Sequence, residues 1–218
     1  MSASLIRQLQ ARVNEFGHSL VVDGIYGPRT HAATMEALGE PAKPAPPTTP
    51  GGQALVPANW MPNANMSRII VHWTAGNHRA NAVDKRAYHI IVEGDGNVVR
   101  GNPVIGGPAS HTLNANTGSI GVALAGMVGA RERPFDAGRA PLTQVQWNAA
   151  MHVLAELAAR YRISVSRTTI LSHAEVQNNL GIAQRGKWDI AILPFDPSFN
   201  TAARVGDRMR NEVAQLSR

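Results

Sequence analysis

The sequence has no cysteine. This excludes a disulfide scaffold, a thiolate nucleophile and every cysteine-based zinc site, and it leaves the redox compartment open. There is no apolar run near 18 residues, so the sequence offers nothing that spans a membrane. The opening MSASLIRQLQARVNEFG also lacks the uninterrupted apolar stretch of a secretory signal. A role outside the cytoplasm would therefore need another route of release. Charged residues make up only 17% of the chain against 44% apolar ones, a balance that suits a packed core and not a disordered polymer.

What charge there is lies unevenly. Residues 1–39 hold three basic residues (Arg7, Arg12, Arg29) and three acidic ones (Glu15, Asp23, Glu36), which cancel. From residue 58 onward there are 17 Lys/Arg and 11 Asp/Glu, so the whole formal charge of +6 sits there. A basic face of this kind favours polyanions such as nucleic acid, anionic lipid or bacterial wall polymer. A merely solvated surface is the plainer reading of the same charges. Nucleic acid rests on charge alone, and the expectation is that it is not a partner.

The 218 residues allow one large domain or a small one followed by a larger one. Residues 40–52 read EPAKPAPPTTPGG, with five prolines in 13 residues. Such a stretch forms an extended, semi-rigid spacer and no packed element. The expected division is a helical domain over 1–39, a Pro-rich linker over 40–57 and a second domain over 58–218.

In the first segment Leu5, Ile6, Leu9, Val13 and Phe16 recur at helical spacing. Asp23-Gly24 and Gly27-Pro28 mark turns, Pro28 suits the start of a second helix, and Gly39 ends it. The second body alternates β-type runs with helical ones: RIIVHW (68–73), AYHIIVE (87–93), NVVR (97–100), SIGVALA (119–125) and TILS (169–172) read as strands. Residues 143–161, capped by Thr143, and 199–216 read as helices. The pattern predicts an α/β fold, a mixed sheet flanked by helices, preceded by a small all-α domain.

A hydrolytic zinc site needs three protein ligands and one open position. Without thiolates the ligands must come from His, Asp and Glu. His72 ends the strand of VHWTAG, His173 follows TILS in the same way, and Asp189 lies sixteen residues later in KWDI. Ends of buried strands are common places for catalytic groups. No His-Glu-x-x-His spacing is present, however, and a single strand-end histidine is more often structural, so spacing alone does not establish this trio.

Two resemblances sharpen the picture. DGIYGPRTHAA, at residues 23–33, resembles the signature loop of the small helical peptidoglycan-binding domain found beside many wall hydrolases. It implies wall contacts by Asp23, Tyr26 and Arg29; a helical cap without ligand is the alternative. RIIVHWTAG, AYHIIVEGDGNVVRG, ASHTLNANTGSIGVALAG, LSHAEVQ and GKWDIA, in that order, resemble the type-2 N-acetylmuramoyl-L-alanine amidase family, whose fold is shared with peptidoglycan recognition proteins.

The second resemblance covers about residues 66–197 and implies Zn2+ held by His72, His173 and Asp189. It implies catalytic roles for Tyr88 and Lys187, and a substrate groove lined by His111, Trp73 and Asn116. Where some members carry a catalytic glutamate this chain has Ala123, so the Tyr/Lys arrangement is expected. The implied activity is hydrolysis of the amide between N-acetylmuramic acid and L-alanine in bacterial peptidoglycan; the alternative is a non-catalytic recognition protein. The expected setting is that of a monomeric, bacteriolytic phage endolysin, made in the host cytoplasm and released to the wall by a holin. Arg204, Arg208 and Arg210, on the C-terminal helix, are read as a face for approaching an anionic outer membrane.

Overall fold

The computed structural model describes residues 2–16, 18, 20–38 and 54–217. The linker expected at 40–57 falls mostly outside them. The chain divides into two compact units, Met1–Ala45 and Pro46–Arg218.

In the first unit helix α1 spans Ala3–Asn14 and helix α2 spans Pro28–Ala37. Ser2 caps α1 by accepting from the Leu5 backbone N–H. So small a body has little apolar core, and the buried amide of Gln10 ties it together instead. Its Nε2 donates to Asp23 Oδ1 at 2.8 Å, to the Ile25 carbonyl and to Thr30 Oγ1, while its Oε1 accepts from Gly24 N–H at 2.9 Å.

The second unit is built on a five-stranded sheet in the order β3-β2-β4-β1-β5, with β1 Arg68–Trp73, β2 Ile90–Val92, β3 Val98–Arg100, β4 Ser119–Leu124 and β5 Ile170–Ser172. β1 runs parallel to β4 and β5, β2 runs parallel to β4, and only the β2–β3 hairpin is antiparallel. The sheet is therefore mixed, flanked by helices, as the sequence pattern predicts. Helices α3 (Ala82–Ala87), α4 (Gln144–Tyr161), α5 (His173–Leu180) and α6 (Ala202–Leu216) complete the unit. The run AYHIIVE does not form one strand: Ala87 ends α3, and Tyr88 is its C-cap. Asn81 and Asp84 form a reciprocal cap that starts this helix only six residues before Tyr88.

Strand alternation decides which side carries chemistry. Ile69, Val71 and Trp73 of β1, with Ile120, Val122 and Leu124 of β4, join α4 and α6 in the main core. Ile70 and Leu171 face the other way, toward Val176 of α5, and His72 shares their side of β1. No helix among the described residues is long and apolar enough to cross a membrane.

The entry to this unit is fastened to α4. Glu156 accepts from the backbone N–H of Leu55 and of Val56, each at 2.8 Å. Glu156→Ala would leave both donors without their acceptor, so we expect a loss of about 1–3 kcal/mol, read as a lower urea midpoint with unchanged slope.

The C-terminal helix corrects one expectation. Arg210 is buried, with pairs to Glu175 at 2.9 Å and Asp207 at 2.8 Å. Arg208 is paired with Asp196 and Glu212 and lies over the Phe199 ring. Of the three arginines read as a membrane-facing set, Arg204 alone is exposed. The amphipathic pitch of α6 turns the other two inward, where they meet Asp196 and Glu175, 12 and 35 positions away, besides neighbours on α6 itself.

Candidate metal and active site

The site is assembled where parallel strands end, the usual place for ligands in open α/β sheets. His72 is the fifth residue of β1, fully buried. His173 opens α5 directly after β5; Ser172 caps the helix, and Glu175 accepts from the Ser172 backbone at 2.9 Å. Asp189 reaches the same point from the following loop, and its carbonyl accepts from Ala174 N–H at 3.1 Å. The next residue, Ile190, has φ 62°. A β-branched side chain in the left-handed region is strained, and this strain sits directly beside Asp189.

Three atoms converge. His72 Nδ1 lies 3.0 Å from His173 Nδ1 and 3.1 Å from Asp189 Oδ2, and His173 Nδ1 lies 2.9 Å from that oxygen. Burial lowers the pKa of His72, although Asp189 opposes the shift. Burial pushes the Asp189 carboxyl up, but contact with the nitrogens of His173 and His72 outweighs it and holds the group well below the ordinary range. The site is thus a carboxylate facing two imidazoles.

The outer nitrogens show which way the imidazoles present themselves. His173 Nε2 faces the amide oxygen of Gln184 at 2.9 Å, while His72 Nε2 faces His111 Nδ1 and Thr112 Oγ1, each at 3.3 Å. Protons on the outer nitrogens leave two inward lone pairs beside an anionic oxygen. Three electron-pair donors so close repel one another unless a cation lies between them. Ligands about 2.0–2.1 Å from a tetrahedral zinc stand roughly 3.3 Å apart, so His72, His173 and Asp189 fit zinc in both chemistry and spacing.

The other expected residues are placed as follows. The Tyr88 ring lies 5.2 Å from that of His72, and its hydroxyl donates to the Trp73 carbonyl at 3.3 Å. Burial, with Asp189 and Asp84 nearby, raises its pKa well above the usual phenol range. Lys187 is exposed and lines a cavity of about 390 Å³ with Ser110, His111, Leu113, His173 and Arg185. Asn116 also lines it, but its side-chain oxygen is occupied by the N–H groups of His111 and Thr112. Trp73 belongs to the opposite face of β1 and packs edge-on against Trp188 at 4.4 Å, away from the cavity wall.

His111 is held close to the sheet because β4 has Gly121 there; a Cβ at that position would meet the imidazole at 2.6 Å. Burial lowers the His111 pKa to about 2 and that of His89 to about 4. His89 accepts from Gly121 N–H at 2.9 Å, and the Nε2 atoms of both histidines are buried without a partner among the described residues. Ala123 pairs in register with His72, so a glutamate there would stand next to the site; this chain has none.

A larger hollow, about 940 Å³, is lined by Asn63, Met66, Ile105 and Gly118. It opens at the N-terminal ends of β1 and β4, is lined by none of the three converging residues, and shares Asn116 with the smaller cavity. In the first unit a cleft of about 500 Å³ is lined by Gln10, Val21, Asp23, Ile25 and Arg29. Tyr26 does not line it, and its hydroxyl lies 3.1 Å from His31 Nδ1. Asp23 is committed to Gln10 and the Ile25 backbone, which lower its pKa in that order.

Sequence reasoning did not single out Gln184, Thr112 or the Glu175–Arg210 pair. Nothing in their spacing marks them, since they meet their partners only through the fold.

Comparison with known proteins gives the following. Residues 62–190 match the family described as N-acetylmuramoyl-L-alanine amidase. No curated protein matches significantly. Among solved structures, the chain is similar to the endolysin amidase LysCS from Clostridium intestinale URNW (17% identity, 62% of this chain and 78% of that one, TM-score 0.42). It is similar also to the Ph2119 endolysin of a Thermus scotoductus bacteriophage (19%, 67% and 88%, TM-score 0.42). A third is the hydrolase AmiA of Staphylococcus aureus (16%, 70% and 74%, TM-score 0.45). These structural likenesses are weak.

Proposed function

The chain belongs to the N-acetylmuramoyl-L-alanine amidase family, and from that premise we propose that it is a zinc-dependent peptidoglycan amidase cutting the bond between N-acetylmuramic acid and L-alanine. The observation that carries the reading is the convergence of His72 Nδ1, His173 Nδ1 and Asp189 Oδ2 within 3.1 Å of one another. A protein that only recognised the wall would have no need of three buried electron-pair donors aimed at one point. That speaks against the alternative of a non-catalytic binding protein.

Bound zinc supplies Lewis acidity, which polarises a carbonyl and acidifies water. The chain's own residues do the rest. Lys187, on the cavity wall beside His173, brings a fixed positive charge to the oxyanion that develops as the amide is attacked. Tyr88, held between the His72 ring and the Trp73 carbonyl, presents a hydroxyl that orients the attacking water by a hydrogen bond. His111 and Thr112 hold the His72 ring in place from behind.

We read residues 1–39 as a wall-binding module, with Arg29 and the apolar Val21 and Ile25 at its cleft, and 40–57 as the tether to a catalytic domain at 58–218. Tethering raises the effective concentration of enzyme on an insoluble substrate. On this reading the protein is an endolysin-type, bacteriolytic enzyme acting at the cell wall.

The test is a digest of purified peptidoglycan by the full chain, with and without chelator, resolved by mass spectrometry of the products. We expect new N-terminal alanine and lactyl-bearing glycan, abolished by chelator and restored by zinc. Release of reducing sugar ends without new N-terminal alanine would refute the assignment.

A further inference from the structure

The polar atoms behind the two histidines are as tightly arranged as those in front. His173 Nε2 lies 2.9 Å from Gln184 Oε1, and Gln184 is only 3% exposed. The orientation of that amide is settled by its other end. Its Nε2 lies 2.9 Å from the Leu113 carbonyl and 3.3 Å from the Ile182 carbonyl, and carbonyls only accept. The amide NH2 must face them, which leaves its oxygen for His173. His173 therefore carries its proton on Nε2 and turns the Nδ1 lone pair toward Asp189 and His72. The Gln184 backbone N–H is itself anchored to Gln177 Oε1, on the helix that His173 opens.

Leu113 belongs to the loop that serves the other histidine. Asn116 Oδ1 accepts from His111 N–H at 3.0 Å and Thr112 N–H at 2.8 Å, which holds His111 Nδ1 and Thr112 Oγ1 behind His72 Nε2. Thr112 Oγ1 lies 2.8 Å from His111 Nδ1. A hydroxyl has one proton, so donation to His111 Nδ1 leaves the oxygen to accept from His72 Nε2–H, the arrangement in which His72 also keeps its proton outside. One loop thus governs the outer nitrogens of both histidines, directly for His72 and through Gln184 for His173.

We propose that Gln184 is a positioning residue for metal uptake, locking the tautomer and ring orientation of His173 and linking it to the 111–116 loop that does the same for His72. The proposal rests on the zinc reading of His72, His173 and Asp189. Gln184 touches neither substrate nor reacting atoms, and its effect passes wholly through His173.

The experiment uses the full chain and zinc alone. Zinc dissociation constants are measured by competition with a chromophoric chelator for wild type, Gln184→Leu and Gln184→Glu, with folding checked by thermal melts. Gln184→Leu removes the acceptor, and we expect about 10–100-fold weaker zinc binding, the usual cost of losing a partner behind a metal-ligating histidine. Gln184→Glu keeps an acceptor oxygen for His173 but sets its other oxygen against the Leu113 and Ile182 carbonyls, so it should bind zinc more tightly than Gln184→Leu while melting below wild type. A second readout is 15N NMR of the metal-free chain, where the His173 proton is expected on Nε2 in wild type and distributed over both nitrogens in Gln184→Leu.

Unchanged zinc affinity in folded Gln184→Leu would overturn the proposal while leaving the zinc site standing. So would a wild-type His173 protonated on Nδ1, a result that needs no variant to fold. A wild-type chain that takes up no zinc would instead overturn the site reading, and this proposal with it.

Discussion

Asp189→Ala is expected to abolish zinc binding and to slow peptidoglycan hydrolysis by about 1,000-fold or more, which corresponds to about 4 kcal/mol of barrier. The size follows from the geometry. Removing a partner behind a ligand costs about 10–100-fold, and removing the ligand itself should cost more. Asp189 is the one anionic donor of the three, so its loss leaves two neutral imidazoles with no charge to hold a dication. His72→Ala should behave alike, because His72 Nδ1 touches both other ligand atoms.

The control is retention on insoluble wall, measured by pull-down of the full chain. On the proposed division of labour, residues 1–39 keep either variant on the wall although hydrolysis is lost. Retained hydrolysis in Asp189→Ala, insensitive to chelator, would dispose of the metal site. Hydrolysis and wall binding lost together, in a folded variant, would favour a recognition protein whose binding face is the supposed active site.

The second large effect lies on the C-terminal helix, behind the metal site. Arg210→Ala is expected to destabilise the second unit by about 3–5 kcal/mol, the usual cost of removing one partner of a buried ion pair. The Arg210 side chain, 8% exposed, donates to both oxygens of Glu175 and to the Ile170 carbonyl. Glu175 in turn accepts from the Ser172 backbone and so shapes the junction that presents His173. The helix packs so closely here that a Cβ on Gly206 would meet the Glu175 carboxylate at 2.1 Å.

Chemical denaturation of Arg210→Ala, compared with the double variant Glu175→Gln/Arg210→Met, separates charge from packing. The double variant leaves no unpaired buried charge and should recover much of the loss. An Arg210→Ala midpoint equal to that of wild type would show the pair to be dispensable. The same contacts mean that truncating 199–218 removes a support of the metal site, so such a deletion says little about outer membranes.

Much of this protein was legible in its residues. β-Branched runs and turn residues located all five strands, because strand formation and hairpin turns are governed by near neighbours. Thr143 before an apolar face announced α4. His72, His173 and Asp189 stood out once family motifs were recognised, since the chemistry restricts which residue types occupy those places. The short helices α3 and α5 were not foreseen: at six and eight residues they carry too few turns for a periodic signal. Tyr88 accordingly carries a strand-like signal although it caps a helix.

The sequence by itself determined the strands and the longer helices, the two-part organisation it suggests, and a metal site whose ligands come from His, Asp and Glu in a chain without cysteine. Tertiary structure alone decided how those donors are aimed and which charges are spent inside. Arg208 and Arg210 look like a basic surface along the chain, but α6 turns them against Glu212, Asp196 and Glu175. Gln184 looks like an ordinary loop residue until folding brings it between His173 and Leu113, 71 positions away. The reason is range: propensity and pattern act over a few residues, whereas a proton's place on a buried imidazole is set by whichever distant carbonyl or amide the fold brings within 3 Å of it.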